Sequence, residues 1–190
     1  MKIGLLPGSY NPIHIGHLIL AEYLLNNFDF DQVWLIISPQ NPLKKKASLV
    51  DLEHRMKMVN LSIGDSKSLL GSDIEFHLPF PSYTIDTLDF LKLKYPKDIF
   101  NLIIGADNYQ NLSKWKSHQR LEDENSIYVY PRKGYPLTQN RKSNHFLVNE
   151  APEIEISSSF IRKNLQENKS IRYLVVDKVL EYIQTYQLYI

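Results

Sequence analysis

The chain contains no cysteine. Disulfides, thiolate zinc sites and cysteine nucleophiles are excluded, and the composition suits a reducing compartment such as the cytoplasm. Excess charge is missing as well: 22 Lys and Arg stand against 21 Asp and Glu. No global field draws such a protein onto nucleic acid or membrane, so any anion it binds is held by local placement. The basic tract Lys44-Lys45-Lys46 is too short for a nucleic-acid tail. No apolar run approaches the roughly 18 residues of a membrane span. Pro7-Gly8 interrupts the short apolar start, which argues against a signal peptide. Repeats and low-complexity segments are absent. Two phosphate loops are missing too: no G-x-G-x-x-G and no G-x-x-x-x-G-K-[ST] occurs, which excludes a standard dinucleotide fold and a P-loop enzyme. What is present is 190 residues, 43% of them hydrophobic. That suits one domain over 1–190 with an ordinary core.

Strand-like and helix-like segments alternate along the chain. Residues 2–6, 32–38, 72–78, 99–104 and 126–130 read as strands, with 145–148 a sixth and 153–156 short and extended. Helices are predicted over 14–26, after Ser48, from Thr84 to 93, near 108–112 and 116–121, and over 158–166 and 175–186. The first carries Leu18, Ala21, Leu24 and Leu25 inward; Ser48 and Thr84 read as helix caps, Ser48 with Asp51 at capping-box spacing. The pattern predicts an α/β fold, doubly wound around a mostly parallel sheet. Ligands then sit beyond the carboxyl ends of the strands. The loops 7–17, 39–46, 79–84, 105–115 and 132–136 should all open onto that edge.

The first of these loops is the most informative. Gly8-Ser9-Tyr10-Asn11-Pro12-Ile13-His14-Ile15-Gly16-His17 follows an apolar strand directly and leads into a helix. Helix N-termini attract anions through unpartnered N–H groups and the helix dipole. His14 and His17 lie three apart, so on a helix they share a face. A zinc reading of that pair lacks cysteine and an obvious third ligand, so no metal ligands are assigned. Near the other end, Ile156-Ser157-Ser158-Ser159-Phe160-Ile161-Arg162 places hydroxyls and an arginine at a second helix start. Taken alone, those serines read as a helix cap.

Together the two segments resemble the signatures of the nucleotidyltransferase superfamily, the His-x-Gly-His loop and the Ile-Ser-Ser-Thr-x-x-Arg motif. Pro81-Ser82-Tyr83-Thr84-Ile85-Asp86-Thr87-Leu88, Ile104-Gly105-Ala106-Asp107, the Leu112-x-x-Trp115 stretch and the closing Val179–Ile183 narrow the likeness. They resemble bacterial nicotinate-nucleotide adenylyltransferases, over nearly the whole chain. The resemblance implies a Rossmann-like nucleotidyltransferase fold, with 157–190 a C-terminal helical part carrying the second motif. It implies transfer of AMP from ATP to nicotinate mononucleotide, giving deamido-NAD and pyrophosphate, with Mg²⁺ accompanying ATP. His14, His17 and Arg162 would then be catalytic. Gly8, Ser9, Tyr10, Lys44, Gly105, Asp107, Ser157 and Ser158 would bind ATP, and Thr84, Trp115 and Arg132 the acceptor. Ser9, Asn11 and Ser159 depart from the common Thr, Asp and Thr, each keeping a hydrogen-bonding side chain.

The chemistry agrees with these residue types. A mononucleotide phosphate is already an anionic nucleophile, so no serine or cysteine needs activating. Catalysis reduces to positioning and electrostatic stabilisation. Glycine at 8 and 16 would let a ligand approach the backbone closely. Phosphate charge beside His14 and His17 favours their protonated forms. Relatives acting on nicotinamide mononucleotide or phosphopantetheine, and a sensor that binds nucleotide without reacting, are the alternatives. A class I aminoacyl-tRNA synthetase shares the His-Ile-Gly-His string, but this chain is too short and lacks the Lys-Met-Ser-Lys-Ser loop. Oligomeric state stays open, a homodimer included.

Overall fold

The structure is a computed structural model that describes residues 1–39, 49–136 and 142–190. Lys44 and the Ser48 cap lie outside the described residues. The strands are β1 (Lys2–Gly8), β2 (Gln32–Ile37), β3 (Leu69–Ser72), β4 (Ile99–Gly105), β5 (Ile127–Tyr130) and β6 (His145–Leu147). They form one sheet in the order β3-β2-β1-β4-β5-β6. Every described pairing is parallel, so the sheet is more uniform than the mostly parallel one predicted. Strand order reverses between β1 and β4, which creates the crevice where ligands of such folds bind.

Side-chain alternation divides the core in two. From β1 and β2, Leu6, Val33, Leu35 and Ile37 face α1 (Ile15–Asn27), α2 (Leu52–Ile63), α6 (Ser158–Gln166) and α7 (Asp177–Thr185). Ile3, Leu5, Leu102 and Ile104 face the other way, onto α3 (Thr84–Lys94), α4 (Ala106–Gln110) and α5 (His118–Glu124). A strand buried on both faces reads as a continuous apolar run, as β2 does.

Several local expectations are corrected. The third strand lies at Leu69–Ser72, and Ile74–His77 is a 3-10 turn. The strand stops because the Ser72 hydroxyl accepts the Ile74 N–H at 3.4 Å, while the Phe76 N–H bonds back to the Asp73 carbonyl at 2.8 Å. Local bonds of this kind compete with a sheet ladder. Thr84 is the first helical residue of α3 and Tyr83 is its cap. Asp51 stands at the N-cap of α2. In α1 the deepest residues are Leu20, Ala21 and Leu24, with Leu18 and Leu25 half-buried at the edge.

Candidate active site

β1 ends at Gly8, and Tyr10 adopts a left-handed φ of 46° that turns the chain sharply. The Tyr10 ring folds back under the loop, where its hydroxyl donates to the Leu6 carbonyl at 2.6 Å. A Cβ on Gly8 would lie 2.9 Å from that ring. The glycine expected to admit a ligand therefore first makes room for Tyr10. Gly16 behaves alike: a Cβ there would stand 3.1 Å from the His14 ring.

His14 caps α1 in an extended conformation, and His17 is three residues further on. Their rings stack with centroids 3.7 Å apart. The His14 N–H donates to Nδ1 of His17 at 3.2 Å, so a neutral His17 carries its proton on Nε2. Tyr10 meets the His17 ring edge-on. Burial, with the Arg132 charge nearby, pushes His14 down to about 4. His14 is thus neutral at pH 7. Its Nδ1 is buried with no hydrogen-bond partner among the described residues, a deficit that a bound group can satisfy.

The second motif meets the first directly. Ser157 caps α6 by accepting the Phe160 N–H at 3.1 Å. The Ser158 hydroxyl donates to the Pro12 carbonyl at 2.8 Å, and Arg162 donates to the Asn11 carbonyl at 2.8 Å. The two segments predicted to share a triphosphate are therefore hydrogen-bonded to each other. Asn11 is occupied structurally: its Oδ1 accepts the Val50 N–H and the Tyr189 hydroxyl.

On the far side of the crevice, β4 ends at Gly105. A Cβ there would lie 2.5 Å from the Asp107 carboxylate and 3.0 Å from Arg132. Gly105 is buried, and its lack of a side chain makes room for those two groups. Arg132 packs over the Tyr130 ring and donates to its hydroxyl at 3.0 Å. The third wall comes from α3 and the segment after α4. Lys116 pairs with Asp86 at 2.8 Å and lies 4.6 Å over the Tyr83 ring. Trp115 beside it is half-buried.

These walls enclose a cleft of about 1010 Å³, at the upper end of what small-molecule sites occupy. Gly8, Ser9, Tyr10, His14, His17, Thr84, Asp107, Trp115, Arg132, Ser157, Ser158 and Arg162 all line it. Two buried charged residues escaped the sequence reading. Arg55 is 1% exposed and donates to the carbonyls of Val50, Ser9 and Ser38 at 3.0, 2.9 and 2.7 Å. A signal existed: Leu52, Arg55, Met56 and Val59 follow helical spacing, so the arginine sits on an apolar stripe. Glu75 lines the cleft at 6% exposure; it lay hidden because residues 72–78 read as a strand.

The fold and the paired anion-binding turns define a nucleotidyltransferase: residues 5–164 match the family model Cytidylyltransferase-like, and the chain belongs to that family. Within it the chain is a nicotinate-nucleotide adenylyltransferase relative. It is 48% identical over 185 residues to a Flavobacterium psychrophilum protein named "Probable nicotinate-nucleotide adenylyltransferase", covering 96% of each. A Bacteroides thetaiotaomicron protein of the same name is 44% identical, over 98% of this chain and 92% of its own. The fold matches Plasmodium falciparum nicotinic acid mononucleotide adenylyltransferase complexed with NaAD, with a TM-score of 0.82 at 24% identity over 99% and 97% of the two chains.

Proposed function

We propose that this protein joins the adenylyl group of ATP to the phosphate of nicotinate mononucleotide, giving deamido-NAD and pyrophosphate in cytoplasmic NAD biosynthesis. A phosphate oxygen of the mononucleotide attacks the α-phosphorus of ATP. The bond from that phosphorus to the β-phosphate's bridging oxygen breaks, and pyrophosphate leaves with the electron pair. No proton need be removed from the nucleophile.

One observation carries the reading: the His14–His17 turn and the Ser157–Arg162 helix start are bonded together and open into the same cleft. Imidazoles, helix N-terminal amides and the Arg162 guanidinium then surround the leaving pyrophosphate, where charge accumulates in the transition state. Ser9 and Tyr10 offer backbone N–H groups to the same triphosphate, and Asp107 faces the adenosine end. Lys44 is assigned to the triphosphate by the family likeness. Trp115 gives a face for the pyridine ring. The start of α3 at Thr84 and the Lys116 ammonium favour a ring bearing a carboxylate, and Arg132 takes the acceptor phosphate.

Among the described residues no three His, Asp or Glu side chains gather as a metal cage. The donor set fits an Mg²⁺ carried by phosphate oxygens and water. When bound, that ion neutralises triphosphate charge. No helix among the described residues is long and apolar enough to cross a membrane.

The test is pyrophosphate release with ATP, Mg²⁺ and a panel of acceptors. Nicotinate mononucleotide should give the highest kcat/KM. Preference for nicotinamide mononucleotide or phosphopantetheine would move the protein to a sister activity, and ATP binding without turnover on any acceptor would make it a sensor.

A further inference from the structure

Glu75 is a carboxyl group sunk beneath the acceptor wall, with no counter-ion bonded to it among the described residues. Three hydroxyl-bearing residues surround it instead. Thr87 approaches one carboxylate oxygen at 3.4 Å and Ser82 the other at 3.5 Å, and Ser38 bonds to it as well. The Thr87 and Ser82 contacts are long for a hydroxyl on a carboxylate, so the set holds the group rather than any one bond. Burial pushes the carboxyl up, while these hydroxyls counter part of the shift.

The partners lie at telling places. Ser82 precedes Tyr83 and Thr84 in the turn that enters α3. Thr87 is one turn into that helix, and its hydroxyl also reaches the Tyr83 carbonyl at 3.3 Å. Ser38 ends β2; its N–H donates to the Gly8 carbonyl at 2.9 Å and its own carbonyl accepts Arg55 at 2.7 Å. Arg55 in turn holds the Ser9 carbonyl. One unbroken run of hydrogen bonds therefore links the turn at 82–84 with the loop at 8–9, passing through Glu75, Ser38 and Arg55. Water cannot replace it cheaply, since Glu75 and Arg55 are both buried.

We infer that Glu75 is a positioning residue for the acceptor: it fixes the 82–84 turn relative to the triphosphate loop, so that the pyridine mononucleotide meets ATP in register. The inference rests on the proposed adenylyl transfer for its kinetics, but not for its structural consequence. Removing the carboxyl leaves three hydroxyls without their shared acceptor and frees the turn, while Arg55 still anchors Ser9.

Two variants and two readouts test this. E75A should raise KM for nicotinate mononucleotide about tenfold or more, with KM for ATP changed less than about twofold; E75Q, which keeps an acceptor oxygen, should recover most of the loss. Amide hydrogen exchange, read without substrate, should quicken at residues 83–87 in E75A and stay unchanged at 13–17. Unchanged exchange at 83–87, or KM values for both substrates rising together, overturns the inference. If wild-type protein fails to turn over any pyridine mononucleotide, the proposed reaction falls while the exchange result still decides the role of Glu75. If E75A does not fold, S82A, which removes one of the hydroxyls bonded to Glu75, is read the same way, with smaller shifts supporting the role and wild-type values in both readouts overturning it.

Discussion

The two sides of the cleft are built differently. On the triphosphate side, backbone carbonyls of Ser9, Asn11 and Pro12 are gripped by Arg55, Arg162 and Ser158 at 2.8–2.9 Å. Arg55 is fully buried there, and the elements meeting at this loop come from both ends of the chain. On the acceptor side, the Lys116–Asp86 pair is exposed and the Glu75 contacts are long. Exposed pairs contribute about 0–1 kcal/mol, so this wall is the softer one. The difference fits the proposed division of labour, in which one side holds a triphosphate group and the other the acceptor that distinguishes one activity from another. A rigid common half and an adjustable specific half let one fold serve several nucleotidyl transfers.

The strongest way to break that comparison is at the rigid half. His17→Ala should lower turnover about 10²–10³-fold, with a stability loss of only about 1 kcal/mol from the lost hydrogen bond to the His14 N–H. Pyrophosphate release near the wild-type rate would remove His17 from the reaction. Next in size is Arg55→Leu. Three backbone carbonyls lose their donor, and a loss of about 3 kcal/mol is expected in denaturant unfolding. A change below about 1 kcal/mol would mean that water takes over those carbonyls and that the half is less rigid than it looks.

The His14 ring sharpens the contrast through pH. Its folded value of about 4 lies below the ordinary 6.5, so between those values the unfolded chain binds the extra proton. Stability is fully present above about pH 6.5 and falls as pH drops toward 4, by about 3 kcal/mol at most. His14→Gln should flatten that part of the melting-temperature profile; an identical slope in the variant would show that other groups cause it. The smallest effect belongs to the soft half. Trp115→Ala should raise KM for the mononucleotide about tenfold through lost ring stacking while leaving KM for ATP alone. Equal effects on both substrates would take Trp115 out of the acceptor wall.

Much of this was legible beforehand, and for a local reason. β1, β2 and β4 are buried on both faces and announce themselves as apolar runs. The His14–His17 turn is a contiguous string whose helical spacing fixes its geometry. The third strand was misplaced because Ile74 and Phe76 alternate like strand residues. What stops the strand is a serine hydroxyl bonding two residues ahead, a contact that composition does not reveal. Thr84 reads as a cap by residue type, yet Tyr83, still extended, takes the position because the chain is already helical at Thr84.

By itself, then, the order of residues determined the α/β alternation, the absence of thiol chemistry, the two anion-binding helix starts and the family likeness. All of these depend on neighbours within a few positions. Only the tertiary structure decided that Tyr10 and His14 fill the space beside Gly8 and Gly16, that Asn11 is a brace between Val50 and Tyr189, and that Arg55 and Glu75 lie buried under the cleft. Those facts depend on contacts between segments far apart in sequence. Burial and hydrogen-bond pairing of a charged side chain are set by what the folded chain brings around it, not by the residue's own identity.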